Sequence, residues 1–205
     1  MSDSCFYYVH DPMCSWCWGH RPVWDQFESS LLDIVNVKTL VGGLAPDCDD
    51  PMPEQQRAAI SGYWCQIQSL LGTEFNFDFW TKNTPRRSTY PACRAVIAAR
   101  YQSTEREMIH ALQEAYYLRA LNPSNTATHL QLAEELGLDT AKFEIDIKSK
   151  ELQSEFEQEM VTARNLPIQG FPSMVLVHNG IPYPIQLDYK NYREAFTQVK
   201  MTLAD

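Results

Sequence analysis

The apolar positions change period along the chain. Cys5 to His10 is an aromatic and β-branched run that ends at the turn-like Asp11-Pro12, and it reads as a short buried strand. From Cys14 to about Leu32, Trp18, Trp24, Phe27 and Leu31 fall near helical spacing, with Pro22 expected to kink that helix in its second or third turn. Val35 to Leu44 returns to a strand pattern, closed by Gly42-Gly43. Strand, helix, strand at this spacing predicts a βαβ unit with parallel strands and a right-handed crossover.

From about Pro51 to Asn165 only helical periodicity recurs. Ala59, Tyr63, Ile67 and Leu70 mark one stripe, and Met108, Leu112, Ala115 and Tyr116 a second. His129, Leu132, Ala133 and Leu136, ended by Gly137, mark a third, and Leu152, Phe156, Met160 and Ala163 a fourth. Pro91 is placed to open a further helix through Arg100. After this block, Ser173 to His178 reads as a strand, Asn179-Gly180 as a two-residue hairpin turn, and Ile181 to Leu187 as the return strand. Pro182 and Pro184 confine that return strand to a sheet edge. Asp188 is the expected N-cap of a last helix, with Tyr192, Ala195, Phe196 and Val199 on one stripe. The fold class is therefore α/β: one mixed sheet built as β-α-β then β-β-α, from residues 1–50 and 166–205. The all-helical residues 51–165 are an insertion into it.

A chain of 205 residues with 44% apolar content buries a core without staples. No apolar run approaches the roughly 18–20 residues of a membrane span. The net charge is −9 and no Lys/Arg cluster occurs, which argues against nucleic-acid and membrane partners. Lys82, Arg86 and Arg87 read as a solvated loop. Met1 to Tyr8 lacks a basic n-region, an apolar stretch and a cleavage site, so the expected location is the cytoplasm, where most thiols stay reduced.

Six cysteines are present, and only Cys14 and Cys17 are close together. Cys5, Cys48, Cys65 and Cys93 are scattered and read as small hydrophobes, Cys5 lying nearest a terminus. Cys14-Ser15-Trp16-Cys17 follows a strand and opens a helix. A helix start favours a thiolate through its unpaired N–H groups and dipole, and i, i+3 spacing brings the second sulfur within disulfide reach. Cys14 is then the attacking thiol and Cys17 the resolving one. Trp16 and Trp18 are expected to rim the pair. The competing reading is half of a zinc site, with His20 as a third ligand. His20 lies off the shared helical face and no second ligand pair exists, so no metal is expected. His10, His110, His129 and His178 have no arranged partner and read as core or surface residues. Pro172 in Gly170-Phe171-Pro172-Ser173 marks the start of the next strand. A cis bond there would leave the backbone of Phe171 to pair with an incoming peptide.

These elements together resemble the DsbA-like branch of the thioredoxin superfamily, along almost the whole chain. Asp11-Pro12-Met13-Cys14-Ser15-Trp16-Cys17-Trp18-Gly19 is similar to the motif of the cytosolic FrnE-type group, and Gly170-Phe171-Pro172-Ser173 to the family's cis-proline loop. Pro22, five residues after Cys17, resembles the kink proline of thioredoxin's first helix. The resemblance implies dithiol–disulfide oxidoreductase or isomerase activity, with Cys14 and Cys17 catalytic and a cis Pro172 in the substrate loop. It implies thiols and disulfides of proteins or peptides as partners, no tightly bound cofactor, and glutathione as a reductant. Two further readings stay open. One is a glutathione-using enzyme like the kappa-class transferases or 2-hydroxychromene-2-carboxylate isomerases, which Ser88 to Arg94 faintly resembles. Against it, Ser88 to Arg94 also reads as a plain helix start with a solvent-facing Arg94. The other is a non-catalytic module that senses redox state or holds a metal.

Overall fold

A computed structural model describes residues 4–204; Met1, Ser2 and Asp3, on which the leader reading partly rests, and Asp205 lie outside the described residues. Among these, four strands form one sheet in the order β2-β1-β3-β4: β1 Ser4–His10, β2 Asn36–Val41, β3 Ser173–His178 and β4 Ile181–Ile185. β1 runs parallel to β2 in the register Phe6–Val37 and antiparallel to β3 in the register Phe6–Leu176. Helix α1, Ser15–Leu31, makes the crossover and carries Pro22 within it. Asn179 and Gly180 turn the β3–β4 hairpin with φ of 51° and 78°, the left-handed pair that a tight two-residue turn requires. β4 is an edge strand, as its two prolines demand.

Alternation sorts the sheet residues onto two faces. Phe6, Tyr8, Met174 and Leu176 pack with Trp24, Phe27 and Leu31 of α1 and with Ala195 and Val199 of the final helix. Val9 and Leu40 face the other way and meet Ala163 and Phe171. Between β2 and β3 run seven helices: α2 Glu54–Leu71, α3 Phe79–Lys82, α4 Tyr90–Arg100, α5 Glu105–Tyr117, α6 Thr126–Glu135, α7 Thr140–Asp146 and α8 Lys150–Asn165. The expected stripes on α5 and α8 are fully buried, and on α6 His129, Leu132 and Ala133 are buried with Leu136 packed against them.

Of the stripe expected on α2, Ile67 is buried but Tyr63 and Leu70 are 50% and 55% exposed, and Trp64, which was not on it, is buried instead. Trp64 decides the face because it stacks on Phe75 and touches Phe77, Phe79, Trp80, Tyr116 and Tyr117. Burying a tryptophan among these rings removes about 150–250 Å² from water, and Tyr63 and Leu70 are left outside. The last helix, α9, is Arg193–Ala204, so Asp188 does not cap it. Asp188 instead closes a turn, accepting the Lys190 and Asn191 N–H groups, and Asn191 accepts from Arg193.

Two surface readings also change. Arg86 is not a solvated loop residue: it donates to the Ser124 carbonyl, Asn125 Oδ1 and Asp49. Arg94 does not face solvent alone: it grips Asp47 bidentately at 2.9 and 2.6 Å. Among the described residues, no helix is long and apolar enough to cross a membrane.

Candidate functional site

The site is assembled where β1 ends. Asp11 is fully buried, and its carboxylate accepts the N–H groups of Met13 and Leu44 at 2.8 and 2.7 Å and the Thr89 hydroxyl at 2.6 Å. The Cys93 thiol also donates to it, at 3.6 Å. Burial raises its carboxyl above the usual range, and these hydrogen bonds offset that rise. One side chain thus ties the turn before Cys14 to the loop after β2 and to the start of α4. Sequence reasoning read Asp11 only as a turn residue. The signal available was an acid three residues ahead of a helix-opening cysteine.

Cys14 is the N-cap of α1, with its carbonyl accepting the Trp18 N–H at 3.1 Å. Cys14 and Cys17 come within 3.5 Å of each other. Cys14 is 7% exposed and Cys17 1% exposed, and both are free thiols. Burial, followed by the neighbouring Cys14, pushes the Cys17 thiol well above its ordinary value. Cys17 therefore stays protonated at neutral pH.

The Phe171–Pro172 peptide bond is cis, and the Phe171 carbonyl accepts the Cys14 S–H at 3.4 Å. Pro172 is buried and Phe171 half-buried beside the pair. A groove of about 440 Å³ runs beside this loop, lined by Phe171, Pro172, Met174, Ile185 and Leu187 among others. Trp16 is half-buried and meets Tyr189 edge-on at 5.4 Å. Trp18 does not rim the pair. It is a core residue, stacked on Tyr117 at 5.5 Å and donating to the Glu74 carbonyl. The turn of helix between them explains the difference: two residues along α1 is about 200°, so the two indoles leave opposite sides. The His20 ring lies against Tyr8, 3.3 Å from its hydroxyl, and Tyr189. Among the described residues, no group of three or more His, Cys, Asp or Glu could hold a metal ion.

Gly42 was read only as a strand stop, yet it seats Phe171. A Cβ there would lie 2.1 Å from the Phe171 ring. The position is held from behind, because Glu159 accepts the Val41 N–H at 2.9 Å and is itself ion-paired to Arg100. Gly42→Ala is therefore expected to displace Phe171 and slow disulfide exchange on the order of 10²-fold, the scale of an ångström-sized misplacement. Stopped-flow exchange with oxidised glutathione checks this, and a wild-type rate would show that the ring's position is immaterial.

Comparison with known proteins places the chain. Residues 6–193 match the family model described as Thioredoxin. A candidate protein disulfide isomerase of Nitrosomonas europaea superposes with TM-score 0.85 and 26% identity, over 98% of each chain. The cytosolic disulfide reductase DsbM of Pseudomonas aeruginosa superposes with TM-score 0.77 and 23% identity, over 97% of this chain and 99% of that one. DsbM has also been solved with glutathione. The ClpXP adapter protein SpxH of Bacillus subtilis (strain 168) is 21% identical over 196 residues, which is 92% of this chain. The chain spans 64% of the length of that curated relative.

Proposed function

The chain belongs to the thioredoxin family, with the DsbA-like form of its fold, and from that premise we propose that it exchanges disulfides through Cys14 and Cys17. The observation that carries the reading is the asymmetric pair itself: two sulfurs within reach, the first capping a helix and the second buried and protonated. The Cys14 thiolate attacks a disulfide, forming a mixed disulfide and expelling one thiolate, which takes up a proton. Cys17 then loses its proton and attacks the Cys14 sulfur, expelling the second thiolate and leaving a Cys14–Cys17 disulfide. The substrate gains two electrons, and two molecules of glutathione return the enzyme to its dithiol while forming their own disulfide.

The groove beside Phe171 and Pro172 is where an extended peptide would lie, and Trp16, half-buried against Tyr189, is the proposed rim residue of the cysteine pair. Protein or peptide disulfides are thus the proposed substrates. The cytosolic DsbM relative supports a cytoplasmic reductase with glutathione as partner. The same reading takes residues 1–50 and 166–205 as a discontinuous thioredoxin-like domain and 51–165 as its helical insertion. One buried cluster, of Phe6, Trp24, Phe27, Leu176 and Val199 among others, lies wholly in the first part, whereas Met13, Trp18 and Val41 join the core of the insertion.

Redox titration against glutathione tests the function. The wild-type chain is expected to form the Cys14–Cys17 disulfide reversibly. Cys17→Ser is expected to stop at one glutathione bound through Cys14, seen as a single mass gain on the Cys14 peptide. A pair that never closes, or a Cys17→Ser variant that still turns over an electrophile with glutathione, would move the assignment to the glutathione-only enzymes.

A further inference from the structure

Behind the cysteine pair, between α1 and α5, lies a cavity of about 490 Å³, a size that suits a small molecule. Helical spacing builds its two long walls. Arg21, Trp24, Asp25 and Glu28 fall at i, i+3, i+4 and i+7 on α1, and Arg106, Ile109, His110 and Gln113 do the same on α5. β1 adds Tyr8 and His10, and the rim carries Glu107, which is exposed.

Four polar atoms of these walls are buried without a hydrogen-bond partner: Glu28 Oε2, Gln113 Oε1, His10 Nε2 and Arg21 Nη1. His10 is 1% exposed and Gln113 3%. Such atoms are rare in a folded chain, and several on one pocket mark a place for a molecule that brings its own donors and acceptors. Glu28 Oε2 and Gln113 Oε1 accept only, and Arg21 Nη1 donates only. Burial and the Arg100 charge lower His10 to about 3, so its neutral ring does either.

The wall also holds more acid than base. Arg106 serves two carboxylates: it donates to Asp25 at 3.0 Å and lies 3.2 Å from Glu28 Oε2 without the alignment of a hydrogen bond. His110 Nε2 is 3.3 Å from the same Asp25 oxygen. Arg21 uses Nη2 on Glu114 at 2.9 Å, and Arg100 is engaged by Glu105, Glu155 and Glu159. Glu107 makes no ion pair among the described residues. Burial pushes the Glu28 carboxyl above its usual range, the sign of a carboxylate whose charge is incompletely met. An entering anion would face this surplus; an entering cation would relieve it.

We propose that the cavity is a binding site for a small organic cation, whose aliphatic ammonium group donates to Glu28 Oε2 and Gln113 Oε1 and whose second polar end accepts from Arg21 Nη1. Trp24 and Ile109 line the space for its carbon stem. The site does not depend on the disulfide reading, since no sulfur takes part in it.

Three four-carbon probes of similar length test the proposal by isothermal titration calorimetry at pH 7: 4-aminobutanol, butane-1,4-diol and 4-hydroxybutyrate. They share a hydroxyl at one end and are cationic, neutral and anionic at the other. 4-Aminobutanol is expected to bind saturably, one to one, and about tenfold or more tighter than either of the others. Glu28→Gln removes the charge while keeping the shape, and Gln113→Leu removes the neutral acceptor. Each is expected to weaken 4-aminobutanol binding about tenfold, the scale of one hydrogen bond to a charged group. The absence of saturable binding, a diol or 4-hydroxybutyrate that binds as tightly, or wild-type affinity in either variant would overturn the proposal. Should Gln113→Leu fail to fold, Glu28→Gln decides alone.

Discussion

Cys14→Ser is expected to lower disulfide exchange by about 10³-fold or more, the scale on which loss of an activated nucleophile acts. The expectation follows from where the two sulfurs sit. Cys17 cannot substitute for Cys14, because it is 1% exposed and held protonated by burial. Only the thiolate attacks a disulfide, and only a sulfur that reaches the front of the site meets one. The remaining thiols lie elsewhere; Cys93, the other fully buried one, is turned to Asp11 and likewise pushed upward by burial. Serine in place of Cys14 preserves the cap and the shape, so folding is expected to be unchanged by thermal unfolding. Reduction of insulin with dithiothreitol, followed as turbidity, checks the result. A variant retaining a tenth of the wild-type rate would show that another group carries the chemistry.

Acid is expected to unfold the protein well above the range where carboxylates titrate. Three imidazoles are buried and neutral: His10 is lowered to about 3, and His20 and His129 to about 4, each by burial first. Each folded value lies below the unfolded value of about 6.5, so the unfolded chain takes up these protons first as pH falls. The stability they contribute is complete above pH 6.5. It is lost from there down to about pH 4 for His20 and His129 and to about pH 3 for His10. At pH 5 each has forfeited about 2 kcal/mol, or about 6 kcal/mol for the three, against a total of about 5–15 kcal/mol for a protein of this kind. Asp11, Glu28 and Glu159, raised by burial, work in the opposite direction by taking up protons first in the folded state. The contribution of one imidazole is isolated by His129→Gln, which keeps a donor for the Pro123 carbonyl but cannot titrate. Urea unfolding at pH 7, 6 and 5 should show a steep loss in the wild type and a shallower one in the variant. Equal slopes would mean that His129 is already protonated in the fold.

Periodicity and punctuation carried most of the fold. The aromatic and β-branched run at Cys5 to His10, the Asn179-Gly180 turn and the edge prolines are local signals with one physical reading each, and the sheet follows from them. Where the reading failed, a distant partner decided. On α2, Tyr63 and Leu70 fit a stripe with Ile67 as well as Trp64 does, and only the ring cluster from Phe75 to Trp80 and from α5 breaks the tie. α3 is too short for any period to register. At the site, Cys14, Cys17 and the Phe171-Pro172 loop were legible because their chemistry is written in adjacent residues. Asp11, Gly42 and the rear cavity were not. Each acts through contacts with residues roughly 30 to 130 positions away, which no spacing rule encodes.

The proline pair in β4 reaches beyond the fold of one molecule. Pro182 and Pro184 sit opposite Val177 and Val175, at alternate positions of the outermost strand. A neighbouring chain seeking to extend the sheet on that flank would find no N–H at either place. Crowded copies of this protein are thus denied the simplest route to fibrils along that border, and any lasting pairing made there must come from side chains rather than backbone.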